Sequence, residues 1–571
     1  MIPKRNYNAL PAALELVAAG SLVMRPDLFL LSPGAALLLA GAVAKLGLFR
    51  GYQALRVVRH RRLMACTASF AIAAEELPAH RDRVYLGRGF LWQNRHVSEL
   101  CRLKEERDLT GYLGSETGSG GLPFIHGVGM AAEEDIYLGA PELNGHTVIA
   151  GTTRVGKTRL LELLIAQAVR RGEVVIVVDP KGDNDLLDRV HAECVACGRE
   201  DDFLFFSLVY PQQSVTYNPL HNFLKATDIA SRITSTMPMD PRNRPFTDFA
   251  WKVITTVTDA LMALDERPTL RLIHRCSLKE TPELVKRLEE KLNAHAFTST
   301  GKRRHLEEAF GNMKLQADHP GEHFQKMITS LEPVLTSLTY GEVGELLSAE
   351  SPQMTWEKVI RRGKVVYLYL GGMIDRQVAL SVARMAVQDL LFYTGYMYAF
   401  GEAGAPVNLF VDEFYNVVFE GFVDLLNKAG GAGIRATLAL QTTSDIESVV
   451  SPARARQILG NCNTKIFMRV VEREIAENFS DLFGETLIRM RGWKKGETPE
   501  VHEGGGLLYR SSYSEEEKLQ KEPLVSPDLL MSLPKGQAFV YSQGRMPLKV
   551  RLPLIAGEPE GRFTRRLGIG A

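Results

Sequence analysis

Residues 146–159 read His146-Thr147-Val148-Ile149-Ala150-Gly151-Thr152-Thr153-Arg154-Val155-Gly156-Lys157-Thr158-Arg159, and they decide how the rest of the chain is read. His146 to Ala150 is an apolar run of strand length. Gly151 to Thr158 then matches GxxxxGK[ST] at every fixed place. Leu160, Leu161, Leu163, Leu164, Ile165, Ala168 and Val169 follow at helical spacing and predict a helix over 160–171. A strand, a glycine turn and a helix in this order make a phosphate cradle. The glycines let successive N–H groups converge on an anion, and the helix N-terminus adds its dipole. Lys157 can reach the terminal phosphates, and the Thr158 hydroxyl is placed to ligate Mg²⁺. The expected ligand is ATP with Mg²⁺, cradled by Gly151, Thr152, Thr153, Arg154, Val155, Gly156, Lys157 and Thr158.

Downstream, Glu173 to Val178 is a near-continuous apolar run, as expected of a strand covered on both faces. It ends at Asp179-Pro180-Lys181-Gly182, a turn that opens the next helix. This alternation predicts an α/β domain with a parallel sheet. After Tyr217-Asn218-Pro219-Leu220 strand signals stop for more than a hundred residues, and helical patterns cover 228–264, 282–294 and onward to about Leu347. Strand patterns return at 364–370, 406–414, 435–441 and 464–471, with a long helix over 375–398 between the first two. Short strand-like pieces mark 538–554. The simplest organisation is one sheet domain split by an all-α insertion at 221–350. The sheet domain then comprises 133–220 and 351–571, with a connecting region at 63–132.

Asn408-Leu409-Phe410-Val411-Asp412-Glu413 supplies the partner motif. A buried strand delivers two carboxylates at its C-terminal end, where parallel sheets bind ligands. Asp412 is expected in the Mg²⁺ shell, and Glu413 is expected to orient and polarise the attacking water. Alone, the pair reads equally well as a strand ending in a solvated acidic turn; the upstream cradle decides between them. Gln441 ends the 435–441 strand, where a neutral amide can sense the terminal phosphate. Asp179 and Lys181 share the same rim. A ring motor also takes a cation from a neighbouring subunit, and Arg435, Arg454, Arg456 and Arg469 are candidates that sequence does not separate.

The N-terminus carries two apolar segments, Ala9 to Met24 and Leu28 to Leu48, separated by Arg25-Pro26-Asp27. The second is long enough to cross a bilayer core, while the first is shorter and carries Glu15. Lys4 and Arg5 precede them, and Arg50, Arg56, Arg59, Arg61 and Arg62 follow. The positive-inside rule puts both ends in the cytoplasm and makes residues 1–62 a transmembrane helical hairpin. Six cysteines in 571 residues, Cys66, Cys101, Cys194, Cys197, Cys276 and Cys462, are too few for a disulfide scaffold. Cys194 and Cys197, with His191 before them, form a CxxC that reads best as two small side chains ending a helix. The net charge of +1 excludes a globally basic nucleic-acid binder and leaves room for a local one. Basic and aromatic residues of the insertion (Arg242, Arg244, Phe246, Trp251, Lys302, Arg303, Arg304) interleave with acidic ones and read as solvated surface.

The run HTVIAGTTRVGKTR, then VVIVVDPKGD, YNPL before a helical insertion, LFVDEF and LALQTTSDIE resembles the TraD/TraG group of type IV coupling proteins. More narrowly it resembles the TraD coupling proteins of integrative conjugative elements. The resemblance implies a RecA-like P-loop NTPase sheet and a homo-hexameric ATP hydrolase anchored in the bacterial inner membrane, with its bulk in the cytoplasm. It further implies recruitment of a relaxase with its DNA (single-stranded, with double-stranded as the alternative), possession of a substrate-recognising helical insertion, and delivery to a type IV secretion channel. Carried over by residue, Gly156, Lys157 and Thr158 bind nucleotide, Asp412 and Glu413 serve Mg²⁺ and hydrolysis, and Gln441 couples hydrolysis to movement. The chain departs from many relatives at Arg154-Val155, where they have Gly-Ser, and at Ala429-Gly430, where a Gly-Arg is expected. The second departure leaves the trans-acting arginine unassigned. A chromosomal DNA translocase of the FtsK or HerA type shares the motor and is the alternative; a membrane adaptor holding nucleotide structurally is a further one.

Overall fold

The computed structural model describes residues 8–64, 70–105, 120–139, 142, 144–237, 243–294, 300–400, 406–419, 421–501, 507–542, 544–557 and 562–568. Lys4, Arg5, Cys66 and Arg242 lie outside the described residues, as does the side chain of Arg61. In chain order the strands are β1 (Ala71–Ala73), β2 (Val84–Leu91), β3 (Glu134–Leu138), β4 (Thr147–Ala150), β5 (Val174–Asp179), β6 (Phe203–Ser207) and β7 (Val365–Tyr369). There follow β8 (Val407–Val411), β9 (Ile434–Leu440), β10 (Thr464–Phe467), β11 (Glu485–Val501), β12 (Leu507–Pro523), β13 (Gln537–Ser542), β14 (Leu548–Arg551) and β15 (Leu554–Ala556).

One 11-stranded sheet organises the chain, in the order β3-β2-β14-β13-β10-β4-β9-β8-β5-β7-β6. From β10 to β6 every pairing is parallel. From β10 outward to β3 every pairing is antiparallel. The parallel strands read as unbroken apolar runs because both faces are covered. In β5, Val174, Ile176 and Val178 enter one core while Val175 and Val177 enter the other. The helices Lys157–Arg170 and Asn184–Ala196 cover one face, and Arg376–Phe400 and Phe422–Ala429 cover the other. Cys194 is buried near the end of Asn184–Ala196, where burial pushes its thiol up to about 12, and Cys197 caps the helix.

Several sheet elements depart from the sequence reading. Val84–Leu91, expected within a connecting region, is β2 and pairs with β14 and β3. Gly87 makes that pairing fit: its φ is +141°, the register shifts beside it, and a Cβ there would collide with the Arg551 carbonyl oxygen. Phe203–Ser207, given no strand above, is the edge strand β6. A self-paired ribbon, β11 with β12, spans 17 residues on each side and was also unforeseen.

The N-terminal hairpin forms as two packed helices, Ala9–Met24 and Pro33–Met64, tied by an Arg50–Glu15 ion pair and by an Asn8 amide donating to Gln53 at 2.7 Å. The longer helix starts at Pro33 rather than Leu28, because Pro26 opens a single 3-10 turn and Leu30 is left-handed. Pro33–Arg59 is apolar over 27 residues, with mean hydropathy 1.4, and is long enough to cross a bilayer core. Ala9–Met24, with 16 residues, reaches only about 24 Å.

Between β6 and β7 the regular elements are helices, and their apolar faces (Ile254, Leu261, Leu288, Leu306, Met313, Leu335) run into the core beneath the sheet. The neck is closed by a β-bridge between Tyr217 and Met354. Tyr217 donates to Asp389 Oδ2 at 2.8 Å, and Asp389 Oδ1 lies 3.1 Å from Arg232 Nη1. Arg232 also donates to the Pro219 carbonyl at 2.7 Å. The YNPL run is therefore the neck itself, and it fastens the insertion to the helix Arg376–Phe400. Burial raises the Asp389 carboxyl to about 6 despite Arg232. Removing it strands a guanidinium only 1% exposed. Asp389→Ala is expected to lower unfolding free energy by about 3–5 kcal/mol, and Tyr217→Phe by about 1 kcal/mol. Denaturant unfolding of the full chain checks both; equal small losses would show that Arg232 does not depend on Asp389.

Candidate functional site

The C-terminal ends of β4, β9 and β8 are adjacent on one sheet edge, with β9 in the middle. Gly151 to Gly156 leaves β4 as a loop pinned on three sides. Gly151 N–H donates to the Leu440 carbonyl, Thr152 N–H to Arg469, and Gly536 N–H to Val155. Arg154 is left-handed at φ 60°, and Gly156 at φ 109° serves as N-cap of the helix that begins with Lys157. A side chain at 156 would be strained by that φ alone. Thr153 and Arg154 are exposed at the loop tip, while Thr158 is half-buried in the first helical turn.

The Lys157 ammonium donates to the carbonyls of Gly151 at 2.6 Å and Thr152 at 2.9 Å. Burial pulls its pKa below the ordinary value, against the pull of Asp412, Glu413 and Asp445. The cradle and the acidic pair thus share one electrostatic site. Asp412 is 6% exposed and accepts the Glu413 N–H at 2.9 Å. Burial raises its pKa, and the neighbouring Glu413 charge adds to that while Lys157 opposes it. Gln441 directly follows β9, so the register sets it between the cradle and the acidic pair.

Four residues around these bear on the site. Asn416 donates to Glu413 Oε2 at 3.2 Å and holds that carboxylate in place. Asp445 and Thr442 form a capping box at the helix Thr443–Glu447: Thr442 N–H donates to Asp445 Oδ2 at 3.2 Å, and Asp445 N–H to Thr442 Oγ1 at 3.1 Å. The Thr442-x-x-Asp445 spacing is the sequence signal that could have found it. Asp179 collects the N–H groups of Lys181, Gly182 and Asp183 and the Tyr367 hydroxyl. It is a fully buried organiser of its turn, raised to about 6 by burial, with the Asp412 charge adding to the rise.

The four arginine candidates separate. Arg435 begins β9, at the opposite edge of the sheet, and pairs with Glu173 at 3.3 Å and Asn144 at 3.1 Å. Arg469 follows β10 beside the loop and donates to the Gly120 carbonyl at 2.8 Å. Arg454 and Arg456 are exposed on the helix Pro452–Asn461.

Two family models match in chain order. One, the type IV secretion-system coupling protein DNA-binding domain, covers residues 138–318. The other, the TraM recognition site of TraD and TraG, covers residues 406–535, and between them they span just over half of the chain. The chain belongs to the type IV coupling proteins. A 138-residue stretch of this coupling protein is 29% identical to the type 4 coupling protein DotL of Legionella pneumophila; it covers 23% of this chain and 18% of that relative. The fold is similar to that of the bacterial conjugative coupling protein TrwB. The sulphate complex of TrwB aligns over 87% of this chain and 98% of that one, at TM-score 0.54 and 16% identity. TrwB with ADP and Mg²⁺ aligns over 74% and 88%, at 0.52 and 16%.

Glu413 stands at φ 44°, a left-handed conformation that disfavours a Cβ. In this coupling protein Glu413→Gly is expected to be more stable than Glu413→Ala by about 1 kcal/mol, since both lose the carboxylate and only glycine relieves the backbone. Paired thermal and denaturant unfolding measures the difference, and equal stabilities would mean that position 413 bears no strain.

Proposed function

We propose that this coupling protein is a membrane-anchored ATPase of the bacterial inner membrane, with its bulk in the cytoplasm. It works as a homo-hexameric motor that recruits a relaxase with its single-stranded DNA and passes the strand to a type IV secretion channel. The observation that carries the reading is the meeting of Lys157, Asp412, Glu413 and Gln441 at the ends of three adjacent parallel strands. The long apolar helix Pro33–Arg59 supports the membrane anchor. The solved complexes of TrwB with ADP and Mg²⁺, and with a non-hydrolysable ATP analogue, support the choice of nucleotide.

The residues fit that ligand. The loop supplies left-handed positions at Arg154 and Gly156 that turn N–H groups inward, and a half-buried ammonium faces a buried carboxylate. Bound ATP with Mg²⁺ supplies the scissile phosphoanhydride bond and the charge that offsets its terminal oxygens. Lys157 holds the terminal phosphates, Thr158 and Asp412 hold the metal, and the loop N–H groups orient the chain of phosphates. Glu413, kept in place by Asn416, orients water and takes its proton. Gln441 feels the change at the terminal phosphate and passes it along β9 and into the capped helix behind Thr442. Residues 221–350 act as the recognition module and 1–62 as the anchor.

Lys157→Ala is expected to cut DNA-stimulated ATP turnover of the purified full chain by at least about 100-fold. Glu413→Gln is expected to keep nucleotide binding and lose turnover by about 100- to 1000-fold. Both variants are expected to abolish conjugative transfer while chromosome segregation stays normal. Wild-type turnover that ignores DNA, or a Lys157→Ala protein that still hydrolyses ATP, would refute the motor.

A further inference from the structure

Beside the neck of the insertion lies a cavity of about 520 Å³ that ATP hydrolysis does not use. Its walls come from separate parts of the chain. His221 and Phe223 follow the YNPL run, and Arg267 lies between the helices Arg244–Ala263 and Leu270–Leu278. Glu357 comes from the helix Trp356–Arg361, and Phe392 and Tyr396 from Arg376–Phe400.

The floor is aromatic and firmly backed. The Arg232 guanidinium lies 4.5 Å from the Phe392 ring centroid, and its buried Nε and Nη2 find no hydrogen-bond partner. The ring is therefore held on a cation–π contact. Tyr396 stacks on Tyr393 at 6.1 Å and 16° between ring planes, and packs against Phe400 at 4.5 Å. Charged heads stand around this floor. Arg267 donates to the His221 carbonyl, and its Nη2 lies 3.1 Å from His221 Nδ1. Glu357 lies 3.5 Å from Arg361. Burial, with Arg267 and Lys358 nearby, lowers the His221 pKa and keeps the ring neutral, so it can both donate and accept.

Aromatic rings, a guanidinium and mixed donor–acceptor groups lining one cavity suit a ligand with a flat π face, a polar edge and an anionic tail. An aliphatic side chain would use the rings alone and would desolvate Arg267 and Glu357 without return. The volume falls within the usual range for small-molecule sites. We infer that this cavity binds one nucleotide unit, with its base stacked on Phe392 and Tyr396 and its phosphate paired with Arg267. Base stacking on aromatic side chains with a nearby cation is the general device for holding single strands. The residues matched by the coupling protein DNA-binding model include His221, Phe223 and Arg267. The unit can come from a single strand or from a free mononucleotide; the strand source rests on the proposed DNA cargo.

The test is photocrosslinking on the full-length protein in detergent, with peptide mapping by mass spectrometry. One arm uses a bromouracil-substituted oligonucleotide, and the other uses azido-AMP in the Lys157→Ala background to remove the phosphate cradle. Label is expected on the peptides carrying 221–224 or 392–396. Arg267→Glu and Tyr396→Ala are expected to weaken that labelling roughly tenfold or more, with DNA-independent ATP turnover unchanged. Labelling by the oligonucleotide assigns the site to the strand, and labelling by azido-AMP alone assigns it to a free nucleotide; each supports the cavity. No label on these peptides in protein with neither rim variant overturns it, even if a variant misfolds. ATP turnover read on the same wild-type samples reports separately on the motor.

Discussion

The parallel pairing of β4, β9 and β8 is the constraint on which the site depends. Strands hydrogen-bonded side by side lie about 4.8 Å apart, so β4 and β8 end roughly 10 Å from one another. That distance admits a metal-bound phosphate between a cradle on one strand and a carboxylate on the other. A slip of one residue in β8 would turn Asp412 to the wrong face, since side chains alternate along a strand. The register is secured by burial on both faces: Leu409 and Val411 pack into one core and Phe410 into the other. Chemistry at this edge is therefore a consequence of packing that reaches across the whole sheet.

Much of this was legible before any coordinates. The glycine loop, the apolar run of β5 and the Val411-Asp412-Glu413 strand end each carry a local signal, and each sits where its pattern places it. What sequence could not show is pairing between distant segments. β2 contains Gly87 and Gly89, and gains its place from pairing with β3 and with β14 some 460 residues later. β6 is a five-residue edge strand whose run, Phe203 to Ser207, lies outside the strand–loop–helix alternation that marks β4 and β5. The ribbon β11–β12 pairs only with itself, and its charged sequence reads as loop. Arg435, one of four candidates for a cation supplied to a neighbouring subunit, shows the same limit: a seven-residue strand separates it from Gln441, and it pairs with Glu173.

The antiparallel half of the sheet shows how polar groups can be built into a core. Lys549 is fully buried, donates to Gln537 at 2.7 Å and lies 5.6 Å from the Phe539 ring, and burial drives its pKa well down. Beside it Arg551 and His126 both engage Glu133, which their contact lowers to about 2 against its burial. His126 itself is lowered to about 3 and stays neutral. A neutral histidine costs far less to bury than a charged one, while Lys549 offsets its burial through the Gln537 hydrogen bond and the Phe539 ring. Specific polar pairing here fixes β14 between β13 and β2 more sharply than apolar packing alone.

The neck gives the insertion its bearing on the site. On the way into the insertion, Tyr217 donates to Asp389 on the helix that joins β7 to β8, and Arg232 lies in ion-pair contact with the same carboxylate. Trp356, on the way out, donates to the Ala386 carbonyl of the same helix at 3.1 Å. That helix leads into β8, and Asp412 and Glu413 follow the strand directly. A rotation of the insertion about its neck must therefore either break buried, charge-assisted bonds or carry the helix with it. The bonds are the more costly to break, because each lies where water cannot replace it. The helical segment and the helix Arg376–Phe400 are consequently joined by buried polar contacts, which the sequence encodes in the YNPL run, Arg232 and Asp389.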